Sequence, residues 1–195
     1  MLDIKSHRQQ INEGGGFSIK DMVVLLTISL FVGMATGLVS VVFIDSIIAL
    51  EKFVAQLHGS QTGPTGLLIK LAIPTAAGLV VGIIMHQWSN GRMHGPADVI
   101  MTAQVGSPLP RTKTVLANAI ASVISLGSGA SLGQYGPMVL LGGSIGRHAA
   151  RLKLNIPDLQ AVIMGCGVAA AISGAFHAPI AGVLFAHEVV LRHYS

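Results

Sequence analysis

From Asp21 to Leu50 the chain is one long apolar stretch. A helix needs about 20 such residues to cross a bilayer, so this run predicts a long, tilted span. Composition confirms that the apolar excess is not confined to one place. Of 195 residues, 51% are hydrophobic and 10% charged, where soluble domains carry about 25% charge. A soluble chain of this length must dress its surface with charge. This one lacks the means, so its apolar faces must meet lipid.

The expected division is a polar tail, residues 1–20, followed by a transmembrane region, residues 21–195. The start does not read as a cleavable signal, because the apolar run after it is too long for a signal core. A second apolar segment runs from Leu67 to Met85, with Lys70 able to snorkel and Pro74 expected to kink or fray its first turn. Gly33/Gly37 and Gly78/Gly82 stand in the spacing that lets membrane helices approach closely. Lys5, Arg8 and Lys20 in the tail and Arg92 after the second span place the N-terminus in the cytoplasm of a multi-pass cell-membrane protein.

Beyond Met85 the pattern changes to short helices broken by Gly and Pro. They are expected at Pro96 to about Ala103, Thr112 to about Leu126, Met138 to Leu152, Leu159 to Ser173 and Pro179 to Leu191. Irregular backbone at membrane depth is tolerated only where protein buries it or water lines it. Short, interrupted segments also point to a transporter's substrate site. The fold expected is therefore all-α and polytopic, with long tilted spans plus short broken helices.

The Gly-rich run Gly127–Gly136 ends at Pro137, and His94-Gly95-Pro96 repeats the device. Proline suits a first helical position, and glycine leaves the backbone before it open. Each start aims free N–H groups and a positive helix end outward, which suits an anion. Binding without a full positive charge leaves the anion free to depart.

Gly133-Gln134-Tyr135-Gly136-Pro137, with Gly142-Gly143-Ser144-Ile145-Gly146-Arg147 after it, resembles the G-x-E-G-P motif of the CLC chloride channels and transporters. Phe176-His177-Ala178-Pro179-Ile180-Ala181-Gly182-Val183-Leu184-Phe185, followed by Glu188, is similar to that family's F-N-A-P-L-A-G-x-L-F stretch. The resemblance spans about Arg92 to Leu191. It implies one of the two inverted halves of a CLC-type subunit, passive chloride permeation, and either assembly as a homodimer or completion by a missing C-terminal half. By the same resemblance the anion meets Gly133, Gln134, Tyr135, Gly136 and Met138 from one helix start and Met93, His94 and Gly95 from the other.

Three departures bear on mechanism. The family's gating glutamate corresponds to Tyr135, whose phenol titrates near pH 10 in water and cannot exchange protons near neutrality. The inner proton-transfer glutamate of coupled members falls at Val189. Met93 replaces the serine of the G-S-G-I-P signature and offers no hydroxyl. These changes imply uncoupled permeation, with Tyr135 as an outer gate.

Other motifs carry plainer readings. Gly129-Ala130-Ser131-Leu132-Gly133 matches a hydrolase elbow, but that needs a strand before it. An intramembrane serine hydrolase is thus the lesser alternative, and a non-conducting fragment or scaffold the main one. No Gly-Lys-Ser/Thr follows the Gly-rich run, so no nucleotide cofactor is implied, and His187-Glu188 lacks the second histidine of a zinc helix. Glu188 is either a pathway residue or a partner of Arg192. His148 and His177 read as packing residues, and Cys166 as a buried thiol. The absence of a basic stripe with interleaved aromatics excludes nucleic acid.

Overall fold

The computed structural model describes residues 19–58, 64–89, 91–151 and 159–191, and among them every regular element is helical. In order these are α1 (Ile19–His58), α2 (Pro64–Ser89), α3 (Pro96–Val105), α4 (Thr112–Gly127), α5 (Tyr135–Ala149), α6 (Leu159–Phe176) and α7 (Pro179–Phe185), which continues as a π-helical turn, Ala186–Leu191. The polytopic all-α architecture read from the sequence is the one observed. Most of the polar tail, Lys153 and Arg192 lie outside the described residues.

Among the described residues, three segments are long and apolar enough to cross a membrane: Ile19–Leu57, Lys70–Ser89 and Leu159–Phe176. At 40 residues, α1 is about 60 Å long against a hydrocarbon core of about 30 Å. It must tilt steeply or extend well past the bilayer. Three of its hydroxyls bond inside the helix: Thr27, Ser40 and Ser46 donate to the carbonyls of Val23, Thr36 and Val42. Such bonds spare lipid an unpaired polar group.

α2 begins before Leu67, so Pro74 lies in its interior rather than its first turn. The proline cannot donate to the Lys70 carbonyl, and the Thr75 hydroxyl bonds the next one, Leu71, at 2.7 Å. α6 also outruns its expected end, reaching Phe176. The chain then turns at His177, whose φ of 52° is left-handed, a conformation that histidine tolerates better than most residues.

Burial separates two layers. In their spanning windows 11% of α1 and 6% of α2 is buried inside the protein, against 50% of α6. α6 is the hub, packed on α5, α1 and α7, and Met164, Val168 and Ile172 carry the main core cluster with Val99, Val139 and Leu140. Glycine enables this contact, though not at the positions the spacing suggested. β-Carbons on Gly33, Gly37, Gly78 or Gly82 would meet open space. At Gly142 of α5, a β-carbon would lie 2.8 Å from the Gly167 carbonyl carbon of α6; at Gly143 it would lie 2.6 Å from Val99 of α3. Close approach belongs to the inner helices, and the outer glycines face outward.

Two bonds align helix ends on one side of the molecule. The Thr114 hydroxyl, at the start of α4, donates to the Trp88 carbonyl at the end of α2. Thr112 meets His148 Nε2, at the end of α5, at 3.2 Å, while His148 Nδ1 bonds the Ser144 carbonyl. Because that carbonyl needs a donor, Nδ1 carries the proton and Nε2 accepts from Thr112. His148, itself exposed, ties the end of α5 to the start of α4, and Arg92, Arg111, Lys113, Arg147 and Arg151 all lie near these joined ends.

Candidate functional site

Two helix starts meet, those of α3 and α5. A β-carbon on Gly136, in the first turn of α5, would lie 3.8 Å from Pro96 Cδ at the start of α3. Beside this contact is a cavity of about 200 Å³, walled by Met93 and His94 before α3, by Gly133, Gly136 and Pro137 around the start of α5, and by residues of α4. Among the described residues, no carboxylate, lysine or arginine lines it. Exposed Met93 and Leu132 lie on its rim.

α5 begins at Tyr135, two residues before Pro137, with Gln134 as its N-cap. Proline is still accommodated, because nothing in the first turn would have bonded its N–H. Met138 makes the first ladder bond, donating to the Gln134 carbonyl at 3.3 Å, and its side chain is buried against Phe43 and Ala171. The N–H groups of Gln134, Tyr135 and Gly136 are therefore the ones this start can offer. No side chain caps it.

The α3 start differs. Gly95 is its N-cap, in extended conformation, and Pro96 holds the first position. The Gly95 N–H donates to Asp98 Oδ2 at 3.0 Å. The carboxylate of the third helical residue thus folds back on the cap, half of a capping box. Arg92 Nη2 lies 3.7 Å from Asp98 Oδ1. His94 Nδ1 is 3.3 Å from Oδ2 but not aligned as a hydrogen bond. Burial alone would raise the Asp98 carboxyl; the Gly95 N–H, the His94 ring and the Arg92 charge outweigh it and hold it below the usual range. Gly95 thus already serves an internal anion.

Tyr135 is half-buried and does not wall the cavity. Its ring stands edge-on to Phe185 of α7, centroids 5.5 Å apart at 84°, and both rings pack on the main core cluster. Such a T-shaped pair is worth about 0.5–1.5 kcal/mol beyond its burial. Glu188 and Val189 lie on the π-turn, Glu188 exposed and Val189 half-buried. Gln104 Nε2 donates toward the Val189 and Val190 carbonyls at 3.3 and 3.4 Å, tying α3 to this turn. Ser131 is exposed and follows α4, a helix where a hydrolase elbow needs a strand. Cys166, half-buried, points its thiol at the Ser29 hydroxyl of α1.

Residues 77–195, well over half the chain, match the family described as voltage gated chloride channel. The chain belongs to the voltage-gated chloride channel family. Its family relatives include a putative chloride channel protein ClcB-like of Ralstonia nicotianae, 29% identical over 179 residues, covering 85% of this chain and 41% of the relative. Chloride channel protein CLC-e of Arabidopsis thaliana is 33% identical over 173 residues, 82% of this chain and 23% of that protein. An H(+)/Cl(-) exchange transporter ClcA of Klebsiella pneumoniae is 43% identical over 65 residues, 33% of this chain and 14% of the transporter. The chain spans about two fifths of the ClcB-type relatives' length.

In this family member, the roles of two side chains escaped the sequence reading. Asp98 is one, although its place three residues after Gly95 is the spacing of a capping acid. Asn118 of α4 is the other: it is 2% exposed, its Nδ2 donates to the His94 carbonyl at 3.4 Å, and its Oδ1, on a residue that lines the cavity, has no partner. A buried amide in an apolar helix was the available signal.

Proposed function

We propose that this chain forms half of a passive, chloride-preferring anion pathway whose central site is the cavity between the starts of α3 and α5. The observation that carries this reading is the contact of the two starts, Gly136 against Pro96, beside a cavity whose described walls hold no carboxylate, lysine or arginine. Oriented N–H groups at a helix start favour an anion, and the lack of a full charge lets it leave. The N–H groups of Tyr135 and Gly136 do most of the binding, with Gly133 and Gln134 shaping the approach. Met93 and His94 form the opposite wall.

Tyr135 and Val189 stand where proton-coupled members of the family carry glutamates, and neither exchanges a proton near neutral pH. This supports uncoupled permeation, with Tyr135, braced by Phe185, obstructing the outer side. Glu188 has the chemistry for a pathway role only if a neighbouring element covers it. The exposed rim at Met93 and Leu132 is a face for a second copy of this chain or for a C-terminal half. The basic residues collected at the ends of α2, α4 and α5 favour a cytoplasmic position for that side and for the N-terminus, in the cell membrane.

Reconstitution of the chain alone in liposomes, with chloride efflux recorded after a potassium ionophore, tests this reading. Efflux that scales with protein dose supports a pathway built from copies of the half. Its absence from folded, inserted protein means that this chain by itself is a non-conducting fragment.

A further inference from the structure

A second cavity, a cleft of about 890 Å³, opens where α2 ends and α4 begins. Its walls include Trp88, Arg111, Lys113 and Thr114, and among the described residues no acidic one. Arg111 and Lys113 are exposed. The bond from the Thr114 hydroxyl to the Trp88 carbonyl pins its two sides together. The cleft and the central cavity have one wall residue in common, His94.

α4 runs between the two. After its first two residues, its polar side chains are Thr114, Asn118, Ser122 and Ser125. At 3.6 residues per turn these four fall within an arc of about 80° and span about 16 Å. Thr114 lines the cleft; Asn118, Ser122 and Ser125 line the central cavity. Apolar residues occupy the rest of the helix, Leu116 and Ile120 among them being well exposed. A polar stripe on an otherwise apolar membrane helix needs partners or water. Ser122 satisfies itself on the Asn118 carbonyl, but Asn118 Oδ1 has no partner.

His94 is held at the junction from two directions. Asn118 bonds its carbonyl, and Asp98, itself anchored on Gly95 and Arg92, attracts its ring. The side chain is 17% exposed. Its buried Nδ1 has no aligned hydrogen-bond partner among the described residues.

We propose that the stripe Thr114–Asn118–Ser122–Ser125 is a hydrated lane that leads anions from the basic cleft to the central cavity, and that His94 is its constriction. The inference rests on the anion-pathway reading and adds to it the route of access and the residue that limits it. Arg111 and Lys113 concentrate anions at the mouth, a wide-range effect that salt weakens. Water in the lane supplies the hydrogen that Asn118 Oδ1 lacks.

Thiol accessibility in the reconstituted chain tests this whether or not the chain conducts. In a Cys166→Ala background, single cysteines replace Ser122, Ser125, Thr114 and, as a lipid-facing control, Ile120. Each is treated with anionic sulfonatoethyl and cationic trimethylammonioethyl methanethiosulfonate. Ser122→Cys and Ser125→Cys are expected to react, with the anionic reagent favoured by about tenfold, and Arg111→Gln with Lys113→Gln removes most of that preference. His94→Trp slows reaction severalfold at both serine positions and leaves Thr114→Cys as reactive as before. Failure of both serine positions to react above the Ile120 control overturns the lane, and indifference of both to His94→Trp overturns the constriction. Chloride efflux with unreactive serine positions removes this route while leaving conduction intact. Reactive serine positions without efflux leave the lane standing and remove conduction by this chain alone.

Discussion

The two helix starts that meet at the central cavity are built from similar sequence and end in opposite electrostatic states. At α3 the chain supplies its own anion: Asp98 lies on the Gly95 N–H and draws in Arg92 and His94. At α5 no side chain caps the start, and glycines precede and follow Tyr135. A helix N-terminus has N–H groups that must find partners. Where a local carboxylate takes them, the start becomes structural. Where none does, it is left for a ligand. The difference teaches that Gly-Pro before a helix marks a capacity, and the third residue of the helix decides whether it is spent internally.

The sharpest way to break this contrast is to fill the open start. A β-carbon at Gly136 makes only ordinary contact with Pro96, so Gly136→Ala should fold and conduct. Gly136→Leu places a branched side chain at the junction of the two starts and should abolish chloride efflux from reconstituted protein. Efflux unaffected by Gly136→Leu would separate the α5 start from the pathway.

Tyr135→Ala comes next in size. Removing the ring leaves Phe185 without its edge-on partner and, on the proposed reading, clears the outer side of the pathway. Chloride efflux should rise severalfold while thermal stability in detergent falls by about 1 kcal/mol or more. A loss of stability with unchanged efflux and selectivity would make Tyr135 a packing residue alone.

The smallest effects belong to the capped start. Asp98→Asn removes a negative charge close to the cavity and should tighten anion binding about two- to fivefold, read by isothermal titration with chloride or bromide. It also weakens the cap. Because the Asp98 carboxyl is held below its ordinary value in the folded chain, the stabilisation it gives is present above the unfolded value of about 3.9 and is lost as pH falls through the lower folded value. The gap in unfolding temperature between the native chain and Asp98→Asn should therefore be full near about pH 6 and shrink below about pH 4. A gap that does not change with pH would remove the charge from the explanation.

Much of the fold is legible along the chain because its signals are local. Apolar runs gave the spans, and Gly-Pro gave the position of α3, since Pro96 fits a first turn wherever it occurs. Boundaries moved where continuation had no local penalty. α5 starts two residues before Pro137, and α6 carries on to Phe176 before His177 turns the chain. The outer glycine pairs show the limit of spacing as evidence. Gly33/Gly37 and Gly142/Gly146 repeat at the same interval, yet only the second pair has a backbone against it.

By itself, then, the sequence determined the solvent this protein lives in, the broken character of its inner helices and the places where helix starts offer N–H groups, since each follows from hydrophobicity and backbone chemistry over a few residues. Only the tertiary structure decided which of those groups remain free. Asp98 reaches Gly95 from three residues away, and local spacing could have shown it. Asn118 reaches the His94 carbonyl across a loop, and Tyr135 meets Phe185 from two helices further on. The latter two contacts arise from α3, α4, α5 and α7 settling around α6, where close packing, not sequence spacing, sets which polar atoms find partners.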